Sequence, residues 1–197
     1  MTVTHYIEIK VTKIAKVVNL DTKKIYQKMH SIIGKSEGKI GVSFPDWSDV
    51  EIGSQIRFFG PEEQLQFISR SSCLNNYAEN GFLVMSRIKM VPDVNQYVRF
   101  YRNRKIEKKG EAYFLRIKKR SISYFEKNNI PVKEVKQPKE YNIQEKFHSI
   151  KMKSISTNQD NFGIHIMKES FGKNDFKETA KFSSYGLCQP GMGIPDF

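Results

Sequence analysis

The chain opens on alternation. In HYIEIKV, residues 5–11, Ile7, Ile9 and Val11 fall on one side and polar residues on the other, the period of a half-buried strand. From residue 22 the period lengthens. Ile25, Met29, Ile32 and Ile33 form the apolar stripe of a helix, Asp21 stands where its cap belongs, and Gly34 is the expected stop. KIGVSFP (39–45) predicts a second strand halted by Pro45, and IGSQIRFFG (52–60) a third. Pro61 suits the first turn of a second helix, PEEQLQFISRS, with Glu62 and Glu63 near its positive end. GFLVMSRIKMV (81–91) predicts a fourth strand, closed by Pro92. The order βαββαβ predicts an α+β chain whose residues 1–95 form a ferredoxin-like domain, with helices on one face of an antiparallel sheet. Many functions use that fold, so it leaves function open.

From Tyr97 the pattern changes. YVRFYRNRK (97–105) predicts a strand or extended arm studded with arginine, and GEAYFLRIKKRSISYFEK (110–127) a helix. On its wheel Phe114, Ile117, Tyr124 and Phe125 share one side, while Arg116, Lys119 and Arg120, at i, i+3 and i+4, share another. Residues 128–148, with Pro131 and Pro138, predict a long connection. HSIKMKSIST, FGIHIMKE and KFSSYGL predict small strands or hairpins, and QPGMGIPDF a turn-rich tail. Residues 96–197 are therefore expected to form a second, basic α/β domain.

Charge sharpens the division. The net charge is +12 over 197 residues. Residues 1–95 carry 12 Lys and Arg against 10 Asp and Glu, whereas residues 96–197 carry 21 against 11. Ten of those basic residues fall within 96–120, interleaved with aromatics. That concentration predicts a polyanion partner. Cys73 and Cys188 stand far apart with no CxxC spacing, which argues against a disulfide framework and a cysteine zinc site. With no signal-peptide pattern at the start and no apolar run near the ~20 residues of a membrane span, a reduced, cytoplasmic protein is expected.

No HExxH, no phosphate-binding GxxxxGK[ST] loop and no cluster of zinc ligands occurs. A protein that binds a polyanion can cut RNA without a metal. The reaction needs a base for a 2′-OH, a group to hold that nucleophile, and positive charge for the phosphate. Histidine is the natural base near neutral pH. His30 lies at the edge of the first helix's stripe, so it is either a half-buried packing residue or that base. KSIST offers Lys153, Ser154, Ser156 and Thr157 as either a polar strand edge or hydrogen-bond donors to ribose and phosphate. SSYGL offers Tyr185, either a core tyrosine or one whose hydroxyl orients an imidazole.

Taken together, HYIEIKV, the helix with KMH, IGVSFPDW, the arginine-rich helix, SIST followed by FGIHI, and SYGL resemble the CRISPR-associated repeat-RNA endoribonucleases of type I-F systems. The pieces occur in family order over nearly the whole chain. The resemblance implies His30 as general base, Ser154 as holder of the attacking 2′-OH, and Tyr185 as the residue positioning the histidine. It implies Ser156 and Thr157 near the cleaved phosphate and Phe162 stacking under the terminal base pair of an RNA stem. Arg116, Lys119, Arg120 and Ser121 align with the basic helix that follows the stem phosphates, and Arg102 and Arg104 with a pair that reads base edges. In one member of that family glutamine stands where Arg104 does and histidine where Ser121 does, and the loop between the positions of Thr157 and Phe162 is one residue shorter. Arginine suits guanine N7 and O6, whereas glutamine suits adenine.

The expected function is a metal-independent, sequence-specific endoribonuclease without a cofactor. It would bind a CRISPR repeat stem-loop, cut at its 3′ base and stay on the crRNA within a type I-F surveillance complex. No membrane or small-molecule substrate is expected. The alternative is a subunit of a CRISPR or transposon-associated complex that binds the hairpin with little or no cleavage.

Overall fold

The computed structural model describes residues 3–107, 111–131, 146–152, 162–172 and 181–197. It is α+β, with two antiparallel sheets. The first contains β1 (His5–Val11), β2 (Gly41–Ser43), β3 (Gln55–Gly60), β4 (Leu83–Met85) and β5 (Lys89–Met90). Its order is β2-β3-β1-β4, with β5 also paired to β1. The second has the order β7-β8-β6-β9, from β6 (Gln96–Arg102), β7 (His148–Met152), β8 (Phe162–Gly172) and β9 (Ile194–Pro195). Buried side chains of both sheets join one cluster, with Phe44 edge-on to Phe100 at 5.3 Å between ring centres. No helix among the described residues is long and apolar enough to cross a membrane.

Helix α1 (Thr22–Lys35) starts as expected: the Lys24 N–H donates to Asp21 Oδ1 at 2.8 Å. Ile25, Met29 and Ile33 are buried and Ile32 packs at the edge, with Tyr26 adding to the stripe. Gly34 does not end the helix. It runs on to Lys35, and the chain turns at Glu37 and Gly38, at φ +54° and +81°.

Other departures from expectation have local causes. The strand expected over 52–60 begins only at Gln55, because Gly53 turns the chain at φ +87° against Asp46. The strand expected over 81–91 is broken into β4 and β5. The Glu8 N–H donates to Ser86 Oγ at 3.0 Å, so a side chain interrupts the ladder between them. Helix α2 (Glu62–Ser69) follows Pro61, and a further helix, α3 (Ser72–Glu79), was not expected. After α4 (Arg104–Glu107) comes α5 (Glu111–Lys127), where Phe114, Ile117 and Phe125 are half-buried but Tyr124 is exposed. KFSSYGL is a turn and not a strand, and the tail contributes β9 beside β6.

Candidate active site

The turn at residues 183–187 is stitched between the two sheets. Within it the Ser183 N–H donates to the Leu187 carbonyl and the Gly186 N–H to the Ser183 carbonyl, at 2.9 and 2.8 Å. On one side the Val42 N–H donates to the Gly186 carbonyl at 2.9 Å; on the other, the Cys188 N–H donates to the Phe100 carbonyl at 2.8 Å. Gly186 has φ +71°, which glycine adopts without steric cost. These bonds set Tyr185 against α1.

His30 meets Tyr185 there. The two rings stack with centres 4.9 Å apart and planes 29° apart. A hydroxyl-to-imidazole contact was expected; the contact found is between ring faces. His30 is half-buried, and its buried Nε2 has no hydrogen-bond partner among the described residues. Burial lowers its pKa, so the neutral imidazole is favoured. The neutral imidazole is the form that can accept a proton, and the unpartnered Nε2 is an exception among buried polar atoms, most of which are satisfied.

The aromatic cluster extends to the second sheet. The Arg102 guanidinium lies over the Tyr185 ring at 5.2 Å and over the Phe162 ring at 5.8 Å. Phe162 stands edge-on to Tyr185, centres 6.3 Å apart. Arg102 ends β6 and Phe162 begins β8, two neighbouring antiparallel strands. Four of the sequence-predicted residues, His30, Tyr185, Arg102 and Phe162, thus form one chain of ring contacts. Cationic charge beside them favours an anionic ligand.

Arg104 lies on the surface at the start of α4. Arg116, Lys119 and Arg120 are exposed on α5, and Ser121 is half-buried. This leaves α5 with an outward basic face. Ser154, Ser156 and Thr157 lie outside the described residues. Strand β7 is described to Met152, two residues before Ser154. It passes α1, where the Gln27 side-chain amide donates to the Lys151 carbonyl.

Sequence reasoning missed two residues of this neighbourhood, Gln27 and Tyr26. Tyr26 is fully buried, and its hydroxyl donates to the Tyr185 carbonyl at 2.7 Å. The available signal was weak: a polar-tipped aromatic on the buried face, one turn before His30.

Comparison with curated proteins finds no match. The family described as CRISPR-associated protein (Cas_Csy4) matches residues 6–197. That match covers nearly the whole chain, including every residue of the ring cluster, and so the chain belongs to the Cas_Csy4 family of CRISPR-associated proteins.

Proposed function

We propose that the protein is a metal-independent endoribonuclease that binds the stem-loop of a CRISPR repeat and cuts at its 3′ base. The observation that carries this reading is the half-buried His30, its Nε2 orphaned and its ring stacked on Tyr185 beside Arg102. Residues 1–95 would supply the base and residues 96–197 most of the RNA contacts.

In the proposed step His30 takes the proton of the 2′-OH, which Ser154 holds. The 2′-oxygen attacks the adjacent phosphorus, the bond to the 5′-oxygen breaks, and that oxygen takes a proton from water as it leaves, while the protonated His30 returns its proton to solvent. The products are a 2′,3′-cyclic phosphate and a 5′-hydroxyl. Because the nucleophile belongs to the RNA, no metal-activated water is required. Phe162 would stack under the terminal base pair, with Ser156 and Thr157 near the cleaved phosphate. Arg116, Lys119, Arg120 and Ser121 would follow stem phosphates, while Arg102 and Arg104 read base edges at the foot of the stem. An A-form major groove is too narrow for most side chains, so a short hairpin, whose groove opens at its end, suits α5 better than a long duplex. After cutting, the protein would stay on the crRNA as a subunit of a type I-F surveillance complex.

The test is cleavage of a repeat hairpin in EDTA at saturating protein. Cutting should persist, and a deoxyribose just 5′ of the scissile phosphate should block it while binding is kept. His30→Ala should bind the hairpin yet cut about 10²–10⁴-fold more slowly, the usual worth of general acid–base catalysis. A strict Mg²⁺ requirement, or a His30→Ala protein as fast as the parent, would sink the mechanism. Tight binding by the parent without any cut would favour the hairpin-binding alternative.

A further inference from the structure

Helix α1 holds Tyr185 at two points, one helical turn apart. His30 meets its ring. Tyr26, four residues earlier, meets its main chain through the 2.7 Å hydrogen bond to the carbonyl. Positions i and i+4 lie on one face of a helix, about 6 Å apart along the axis. Tyr26 itself has no freedom to wander: it is fully buried and packs edge-on against Phe44, ring centres 5.8 Å apart. The same turn of α1 is tied to the second sheet through Gln27 and the Lys151 carbonyl.

We propose that Tyr26 is a positioning residue for the cleavage reaction: its hydroxyl fixes the Tyr185 main chain and so the ring against which the His30 imidazole is held. This rests on His30 being the base. A phenylalanine would fill the same buried space, so packing alone gives no reason for the hydroxyl. The hydroxyl is also suited to a permanent role as donor. Burial, reinforced by Tyr185, pushes its pKa far above the ordinary tyrosine value, against a smaller opposing effect of Arg102. It therefore remains protonated at every pH where the protein would work. Losing the bond would free the Tyr185 main chain on the side facing α1. The imidazole would then have to find the 2′-OH from a looser ensemble, and misplacement of this kind costs rate more than affinity.

The experiment is single-turnover cleavage of the repeat hairpin by Tyr26→Phe at saturating protein, with hairpin affinity measured separately. The expected result is a rate about 10-fold lower, within the range misplacement can cost, and a half-saturation point unchanged within about twofold. Leu74→Ala, on α3, serves as the structural control, since it loosens the core but leaves both the hydroxyl and Phe44 in place. It should lower the melting temperature without a comparable loss of rate. The rate of Tyr26→Phe is read at a temperature below its own melt, set by circular dichroism, so that a lost hydroxyl and a lost fold are separated. A hydroxyl-less variant that folds and cuts as fast as the parent, while His30→Ala is inactive, overturns the positioning role alone. Unchanged cutting by His30→Ala overturns the reading on which it rests.

Discussion

Replacing Gly186 with alanine separates two costs, one of backbone conformation and one of space. Gly186 sits at φ +71°, and a Cβ there would lie 2.6 Å from Val42 Cγ2, 3.1 Å from Ile33 Cγ2 and 3.2 Å from the Ile40 carbonyl. Gly81 has nearly the same backbone, φ +74°, but a Cβ there would meet nothing within 4 Å. Left-handed backbone costs a non-glycine residue about 1–2 kcal/mol. Forcing a methyl into packed surroundings adds about 1–3 kcal/mol. Gly81→Ala should therefore lose about 1–2 kcal/mol, and Gly186→Ala about 2–5 kcal/mol. In a chain of this length each kcal/mol moves the melting temperature by about 2–4 °C. Because the backbone term cancels between the variants, their difference isolates the packing term. Circular dichroism melts should place Gly186→Ala about 2–12 °C below Gly81→Ala. Two variants that melt together would refute the account of the turn as space-limited. The same substitution should slow repeat cleavage at saturating protein, because Tyr185 precedes Gly186 and its ring meets His30.

Three further outcomes follow from other parts of the molecule. Arg116→Ala, Lys119→Ala and Arg120→Ala should each weaken binding to any stem of similar shape and lower the salt-dependence slope by about 0.7–0.9, as measured by fluorescence anisotropy across salt concentrations; a sequence-dependent loss would refute phosphate contact. Burial lowers the His30 pKa, so proton NMR of its Cε1–H in the RNA-free protein should titrate below the ordinary 6.5. The folded form then binds fewer protons than the unfolded chain just below that value. The stability contribution is full above 6.5 and falls as pH drops through the folded pKa; a midpoint above 6.5 would refute the burial argument. Arg57 is buried, donates to Glu8 through Nε and Nη2 at 2.9 and 2.6 Å and to the Phe197 carbonyl at 2.6 Å, and lies 4.2 Å from the Phe197 ring centre. Arg57→Ala should destabilise the fold by about 3 kcal/mol in urea titrations, since it strands Glu8 and releases the last residue from the first sheet, and a loss under about 1 kcal/mol would refute that role.

Local signals determined much of what the sequence revealed by itself. Alternation in HYIEIKV gave β1 to the residue, and Asp21 with the stripe of Ile25, Met29 and Ile33 gave the start and inner face of α1. Pro61 with Glu62 and Glu63 gave the start of α2. Each is fixed by neighbours within one or two turns, so the residues carry the information. The clustering of basic residues over 96–120 needed no structure, because charge acts at long range whatever the fold. Elsewhere distant partners decided. Whether 81–91 made one strand or two depended on Ser86 Oγ meeting the Glu8 N–H, and β9 exists because β6 offers an edge to residues nearly a hundred positions later. The candidate site belongs mostly to this second kind. His30, Tyr185, Arg102 and Phe162 are visible in the sequence as residue types, but their ring contacts arise only where the turn at 183–187 is pinned to Val42 and Phe100. Tyr26 illustrates the limit. Its ring is legible as part of a buried stripe, while the partner of its hydroxyl, 159 residues away, is set by the packing of α1 against that turn.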